Sequence, residues 1–251
     1  MHAIVRKPGH NFAGGITTSN LGTQDYNKAL KQHEDYCKVL ESCGIKVFVL
    51  DADLKYPDGC FVEDTAIVTE QYAIITRLGH STRQGEEEKI VEILSNYRKI
   101  VYIQSPATLD GGDILRVDKH FYIGLSKRTN REGAKQLTTI LSKEGYTAST
   151  VPVKTVLHLK TGVTSIGMNN LLCIEEFQKR PEFKSFNVIP ISKDEEYSAN
   201  CLVVKEWLLM PKGFTRTRSK LKGLGYNITE IEMGEFAKMD GGLTCLSLLF
   251  S

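Results

Sequence analysis

Apolar residues recur along the chain in two rhythms. Short runs rich in Val, Ile, Tyr and Phe, bounded by turn residues, follow the strand pattern. They cover residues 3–6, 45–50, 65–68, 72–76, 100–103, 114–117, 121–124, 150–153, 171–175, 188–191, 201–204, 207–210, 228–231 and 243–250. The second rhythm has the helical period. Residues 24–43 place Tyr26, Leu30, Cys37 and Leu40 on one face, and Gly44 follows as a stop. Residues 86–97 align Ile90, Ile93, Leu94 and Tyr97, with three glutamates in the opening turn, where the helix dipole favours them. Residues 131–144 follow Asn130 as a cap and end at Gly145, with Ala134, Leu137, Ile140 and Leu141 inward. A shorter helix is predicted over 215–223.

The order of these elements carries the architecture. Hairpin, helix and strand follow one another at 65–103, at 114–153 and at 201–231, and more loosely at 171–191. The last strand, 243–250, needs the N-terminal strand and helix to complete a fifth unit. Hairpins are antiparallel, so an α/β ring of five ββαβ units fits this order better than a doubly wound parallel sheet. Such a ring leaves a central opening where loops from every unit converge. No Pro/Ser-rich linker divides residues 1–251, which are read as one domain.

Composition narrows the class. The chain is 41% hydrophobic and 25% charged, with 32 basic against 30 acidic residues. That balance gives no basic stripe for nucleic acid. No apolar run approaches a membrane span, and the opening Met1-His2-Ala3-Ile4-Val5-Arg6 reads as a strand with no signal-peptide core behind it. A cytoplasmic protein is expected. The six cysteines, 37, 43, 60, 173, 201 and 245, are scattered without metal-binding spacing. A reducing compartment is the simplest reading.

Four stretches hold the candidate chemistry. Asp58, Glu63 and Asp64 lie in Pro57–Asp64, either a solvated turn or a cation-binding cluster. Asp110 and Asp113 bracket two glycines, either a turn with positive φ or a close backbone approach to a site. His158 stands among apolar residues, where a core histidine is the plainer reading. Cys245 follows Asp240-Gly241-Gly242 and opens the predicted final strand, as a buried thiol or as a thiolate at the central opening. One cysteine, one histidine and several acids are the ingredients of nucleophilic catalysis, whose members need not be adjacent in sequence.

At these same residues the chain resembles dimethylarginine dimethylaminohydrolases of the guanidine-modifying pentein superfamily, the bacterial type above all. The resemblance runs through Ile16-Thr17-Thr18, Pro57–Asp64, Ile75 to Arg83, Leu109–Asp113, Gly124 to Asn130, His158-Leu159-Lys160, Ala199-Asn200-Cys201 and Asp240–Cys245. It implies a five-bladed α/β propeller, in agreement with the hairpin–helix–strand order. It also implies Cys245 as nucleophile, His158 as general acid/base and Asp110 as the acid that orients the histidine. Glu63 and Asp64 stand where the family holds the guanidinium, and Asp58 and the backbone near Ile16 where it meets the α-amino group. Arg83 and Arg128 stand where it clamps the α-carboxylate, and Asp240 at a further pocket position. Ile16 replaces a common Leu, and Thr161 a Ser found in other members; both are conservative changes able to retune substrate preference.

The implied reaction is hydrolysis of a methylated arginine to citrulline through a covalent thiouronium, with no cofactor and no metal required. Zinc could inhibit by binding the thiolate beside the histidine. A homodimer is a possible assembly. The rival readings are an arginine deiminase, an amidinotransferase, or a non-catalytic binding protein on the same ring, as in the ribosome anti-association factors. Intact Cys245, His158 and Asp110 argue against the last.

Overall fold

A computed structural model describes all of residues 1–251. Its fifteen strands form five separate three-stranded sheets. The first unit joins β1 (His2–Arg6) and β2 (Lys46–Leu50) through helix α1 (Tyr26–Ser42). The second holds β3 (Ala66–Val68), β4 (Tyr72–Ile75), α2 (Glu88–Leu94) and β5 (Lys99–Tyr102). The third holds β6 (Ile114–Val117), β7 (His120–Leu125), α3 (Arg131–Ser142) and β8 (Thr147–Pro152). After a single-turn helix, α4 (Leu159–Gly162), the fourth follows with β9 (Val163–Ser165), β10 (Asn170–Cys173) and β11 (Asn187–Pro190). The fifth holds β12 (Leu202–Val204), β13 (Trp207–Pro211), α5 (Thr215–Gly223) and β14 (Asn227–Ile231). A second single-turn helix, α6 (Gly234–Ala237), leads to β15 (Leu248–Phe250).

Every sheet has one antiparallel and one parallel pairing, as a ββαβ unit requires. The terminal strand β15 pairs antiparallel with β1, which pairs parallel with β2, so the two chain ends together build the first unit. The cores close the ring. One apolar cluster joins Ile4 of the first unit to Ala66 and Ile75 of the second. Another joins Ile74 to Phe121 and Ile123. A third joins Tyr122, Leu172 and Met210 across the third, fourth and fifth units. A fourth joins Leu209 back to Ala3 and Val5. No helix is long and apolar enough to cross a membrane.

The local signals act as read. Gly44 ends α1 with φ +72°, while the helix starts two residues later than expected, capped by the Asp25 side chain, which accepts from Lys28 N at 3.1 Å. Asn130 caps α3 by accepting from Gly133 N at 2.8 Å, and Gly145 follows with φ +77°. Three further expectations change. The fourth unit crosses through 3-10 turns at Glu175–Phe177 and Pro181–Phe183, because Pro181 and the short connection leave no room for an α-helix. Its first strand is Val163–Ser165, too short to stand out by alternation. The predicted strand at 243–250 begins only at Leu248, and a 3-10 turn at Thr244–Leu246 occupies its first half.

Candidate active site

The short turns preceding the first strand of each unit meet at the centre. They are Val62–Thr65 before β3, Gly111–Asp113 before β6, α4 before β9, Lys193–Ala199 before β12 and Thr244–Leu246 before β15. Glu63 and Asp64, Asp110, His158, Asn200 and Cys245 therefore occupy corresponding places in the five units. Residues distant in sequence become neighbours because the ring repeats one connection.

His158 and Asp110 are buried. His158 Nε2 lies 3.0 Å from Asp110 Oδ2, and its Nδ1 lies 3.9 Å from Asp64 Oδ1. Asp110 Oδ1 accepts from Gly79 N at 2.7 Å, which fixes the carboxylate and directs Nε2–H toward it. Asp64 accepts from Gly112 N at 2.8 Å and from Arg83 Nη1 at 2.7 Å. The glycines beside Asp110 serve close approach, since neither has a positive φ. A Cβ on Gly112 would stand 2.6 Å from His158 Nδ1.

Two cavities meet at the sulfur. A tight inner chamber of about 20 Å³ is lined by Ile16, Asp58, Asp64, Arg83, Arg128, His158, Asp240 and Cys245 among others. An outer cavity of about 310 Å³ reaches Cys245 from the other side, past Thr161, Asn200, Asp240, Val156 and Ile174. The loop over the inner chamber is fastened at both flanks. Ile16 N donates to both oxygens of Asp58 at 3.1 Å, and Thr18 N donates to Asp240 Oδ2 at 2.6 Å.

Charge is balanced internally. Burial alone would lower the His158 pKa, but Asp64 and Asp110 outweigh it and hold it at about 9. Burial would raise Asp64, yet His158 and Arg83 bring it down to about 2. Burial, reinforced by Glu63 and Asp64, pushes the Cys245 thiol up to about 12. At neutral pH the resting pair is a neutral thiol beside an imidazolium. Asp64, Asp110 and His158 each offer a ligand atom within 4.8 Å of one another. The carboxylate oxygens already accept from Arg83, Gly112 and Gly79, so the cluster is closed by its own donors rather than open for a cation.

The two arginines differ. Four N–H groups of Arg83 are engaged, by Asp64, by Glu86 twice and by Phe61 O. Arg128 is also buried, but its Nη1 has no hydrogen-bond partner and stands 3.9 Å from Asp110. Glu63 is held by Lys160 Nζ at 2.6 Å and Thr244 Oγ1 at 2.7 Å. Lys160, Thr244 and Glu86 escaped the reading from residue types. Glu86 looked like a helix-opening acid, and Lys160 and Thr244 were legible only as companions of His158 and Cys245.

Five ββαβ units with a cysteine, a histidine and carboxylates gathered at the central opening define a pentein, the guanidine-modifying class of fold. Residues 17–206 match the sequence model of the eukaryotic N,N dimethylarginine dimethylhydrolases. The chain belongs to the dimethylarginine dimethylaminohydrolase family. It is 45% identical to the N(G),N(G)-dimethylarginine dimethylaminohydrolase of Pseudomonas aeruginosa, over 99% of both chains. It is 32% identical to that of Streptomyces coelicolor, over 98% of this chain and 95% of the other. Its fold superposes with a TM-score of 0.97 on a cysteine-to-serine variant of the Pseudomonas enzyme complexed with citrulline, covering 99% of this chain and 98% of that one. The N-terminal domain of the cyanobacterial arginine dihydrolase ArgZ shares the fold at a TM-score of 0.84 and 18% identity, covering 98% of this chain and 97% of that one.

Proposed function

We propose that this chain hydrolyses asymmetric dimethylarginine or monomethylarginine to citrulline, with release of dimethylamine or methylamine. The observation that carries the reading is one chamber lined together by Cys245, His158, Asp64, Asp58 and Arg128. Membership of the family and the citrulline complex of the Pseudomonas relative support it. All of residues 1–251 act as one catalytic domain.

A guanidinium is a planar cation, and Glu63 and Asp64 are the acids to hold it flat. Its positive charge beside Cys245 favours thiolate over thiol, and the thiol proton leaves to solvent. The thiolate attacks the central carbon. Imidazolium His158 gives its proton to the methylated nitrogen, the C–N bond breaks and a neutral amine departs. A cationic thiouronium remains on Cys245. Neutral His158 then takes a proton from water as the oxygen adds to the same carbon. The C–S bond breaks, the thiolate leaves, the added hydroxyl loses its proton to solvent, and citrulline results. Asp110 keeps the imidazole oriented throughout.

Arg128, with an unpartnered Nη1, is the residue we assign to the α-carboxylate, and Arg83 holds Asp64 while keeping one N–H for the same anion. Asp58 and the Ile16 backbone meet the α-amino group, and Asp240 with Thr161 borders the outer side. The protein acts in the cytoplasm on a free small molecule, without nucleic acid or membrane, as a monomer or homodimer. The test is citrulline release from arginine, monomethylarginine and asymmetric dimethylarginine side by side, with Cys245→Ser as control. Methylated substrates turn over and the control does not. Preference for unmodified arginine would instead make the chain a deiminase.

A further inference from the structure

Four of the five units offer, in the turn before their first strand, a group the proposed reaction uses. The fifth offers Asn200, just before β12, for which the reaction states no role. Asn200 is 4% exposed, and its amide is fully engaged. Nδ2 donates to Lys160 O at 2.9 Å and to Thr244 Oγ1 at 3.1 Å. Oδ1 accepts from Thr244 N at 3.0 Å. Because a carbonyl only accepts and a backbone N–H only donates, these partners fix which end of the amide points where.

The ties run to three elements. Lys160 lies in α4, two residues beyond His158. Thr244 precedes Cys245 in its 3-10 turn. The Thr244 hydroxyl, having accepted from Asn200, donates to Glu63 Oε2, while Lys160 Nζ donates to Glu63 Oε1. The contacts thus close a loop Asn200–Thr244–Glu63–Lys160, in which Asn200 donates both ways, Glu63 accepts both ways, and the Thr244 hydroxyl relays polarisation from the Asn200 amide to Glu63. Gly242 completes the fit, since a Cβ there would stand 2.5 Å from the Asn200 amide.

We propose that Asn200 is a positioning residue that fixes the Cys245 turn against the His158 segment and aims the Glu63 carboxylate at the guanidinium. The proposal rests on the hydrolase reading above, and wild-type turnover of methylarginines tests that reading separately. Asn200→Asp is nearly isosteric and keeps the acceptor for Thr244 N. It loses both donors, and the new carboxylate draws the Thr244 proton away from Glu63.

The expected result is a kcat for citrulline release lowered roughly 10²-fold, the cost of a small misplacement at the reacting atoms. KM stays within about threefold, because the amino-acid end of the chamber is untouched. The pH dependence of Cys245 alkylation moves up by about one pH unit, as an added negative charge favours the thiol. Thr244→Val, which removes only the hydroxyl, lowers kcat about tenfold, and Thr244→Ser restores it. The double variant Asn200→Asp with Thr244→Val loses less than the product of the two single losses. A kcat for Asn200→Asp within about threefold of wild type overturns the proposal, as does a loss expressed mainly in KM. Should Asn200→Asp fail to fold, equal activity of Thr244→Val and Thr244→Ser overturns it.

Discussion

Asp110→Asn tests how the buried histidine is tuned. The substitution keeps the shape and the Oδ1 acceptor for Gly79 N, but places an amide N–H opposite His158 Nε2, where a carboxylate accepted at 3.0 Å. The imidazolium loses its charge-assisted hydrogen bond and keeps the attraction of Asp64. From about 9, its pKa falls. A hydrogen bond of that kind is worth roughly 1.5 kcal/mol, so the fall is about one pH unit. The reacting pair, thiolate with imidazolium, carries one proton fewer than the resting thiol with imidazolium. The wild-type kcat/KM therefore rises with pH until the first group titrates. That group is His158 near 9, because the thiol lies near 12. In the variant the rise ends near pH 8, and the plateau is about tenfold lower on ionisation grounds alone. Below pH 8 any further loss, from the altered tautomer, is a constant factor. The assay is citrulline formation from asymmetric dimethylarginine between pH 6 and 10. Folding adds a second readout. A histidine whose folded pKa is raised stabilises the protein fully below its ordinary 6.5, and that contribution is lost as pH rises through about 9. The variant should thus lose roughly 1 to 2 kcal/mol at pH 6 and less at pH 10. A ratio of variant to wild-type kcat/KM that stays constant across the whole range would refute the tuning argument.

Arg128→Ala should raise KM roughly 10- to 100-fold with little change in melting temperature, since its Nη1 has no partner within the protein and is the group proposed to meet the substrate carboxylate. Arg83→Ala should instead cost about 3 to 5 kcal/mol of stability in urea titration, because it strands two buried carboxylates. Equal effects of the two variants on KM and stability would show that the division between them is wrong. For Cys245, the neutral reagent iodoacetamide should react slowly until strongly alkaline pH. A cationic haloacetamidine should gain up to about 10³-fold at pH 8 after correction for reactivity with a free thiol, the worth of one positive charge at about 4 Å. Equal corrected rates, read by mass spectrometry of the adduct, would leave no place for activation by the substrate's charge.

The fold was legible in the sequence to the extent that hairpin, helix and strand kept their order. Gly44, Asn130 and Gly145 mark helix ends by local chemistry that tertiary context did not override. The fourth unit was blurred because Val163–Ser165 is too short for a period-two signal and its crossover uses 3-10 turns. Cys245 was placed on a strand because Leu243, Leu246 and Leu248 to Phe250 read as one apolar run. The cause is that Leu243 and Leu246 pack into the core from a turn, where burial resembles that of a strand residue. At the site, residue types and family motifs brought forward Cys245, His158 and the acids. They could not give the partition between Arg83 and Arg128. That partition depends on Glu86, three residues from Arg83 in sequence but fully enclosed with it in space.

The same enclosure explains why a site built for a cation rests with its acids already satisfied. Glu63 leans on Lys160 and Thr244, and Asp64 on Arg83 and Gly112, so neither carboxylate is buried bare. Burial first, and then the negative charge of Glu63 and Asp64, keep the Cys245 sulfur protonated. A protonated thiol is a poor target for oxidants and neutral electrophiles. In the proposed mechanism the sulfur becomes a nucleophile when a compact positive charge enters beside it. A neutral urea supplies no such charge, so citrulline, once formed, loses its hold on the acids that gripped its precursor. Selectivity for guanidinium over urea then follows from the electrostatics of the resting protein, before any contact with the methyl groups is considered.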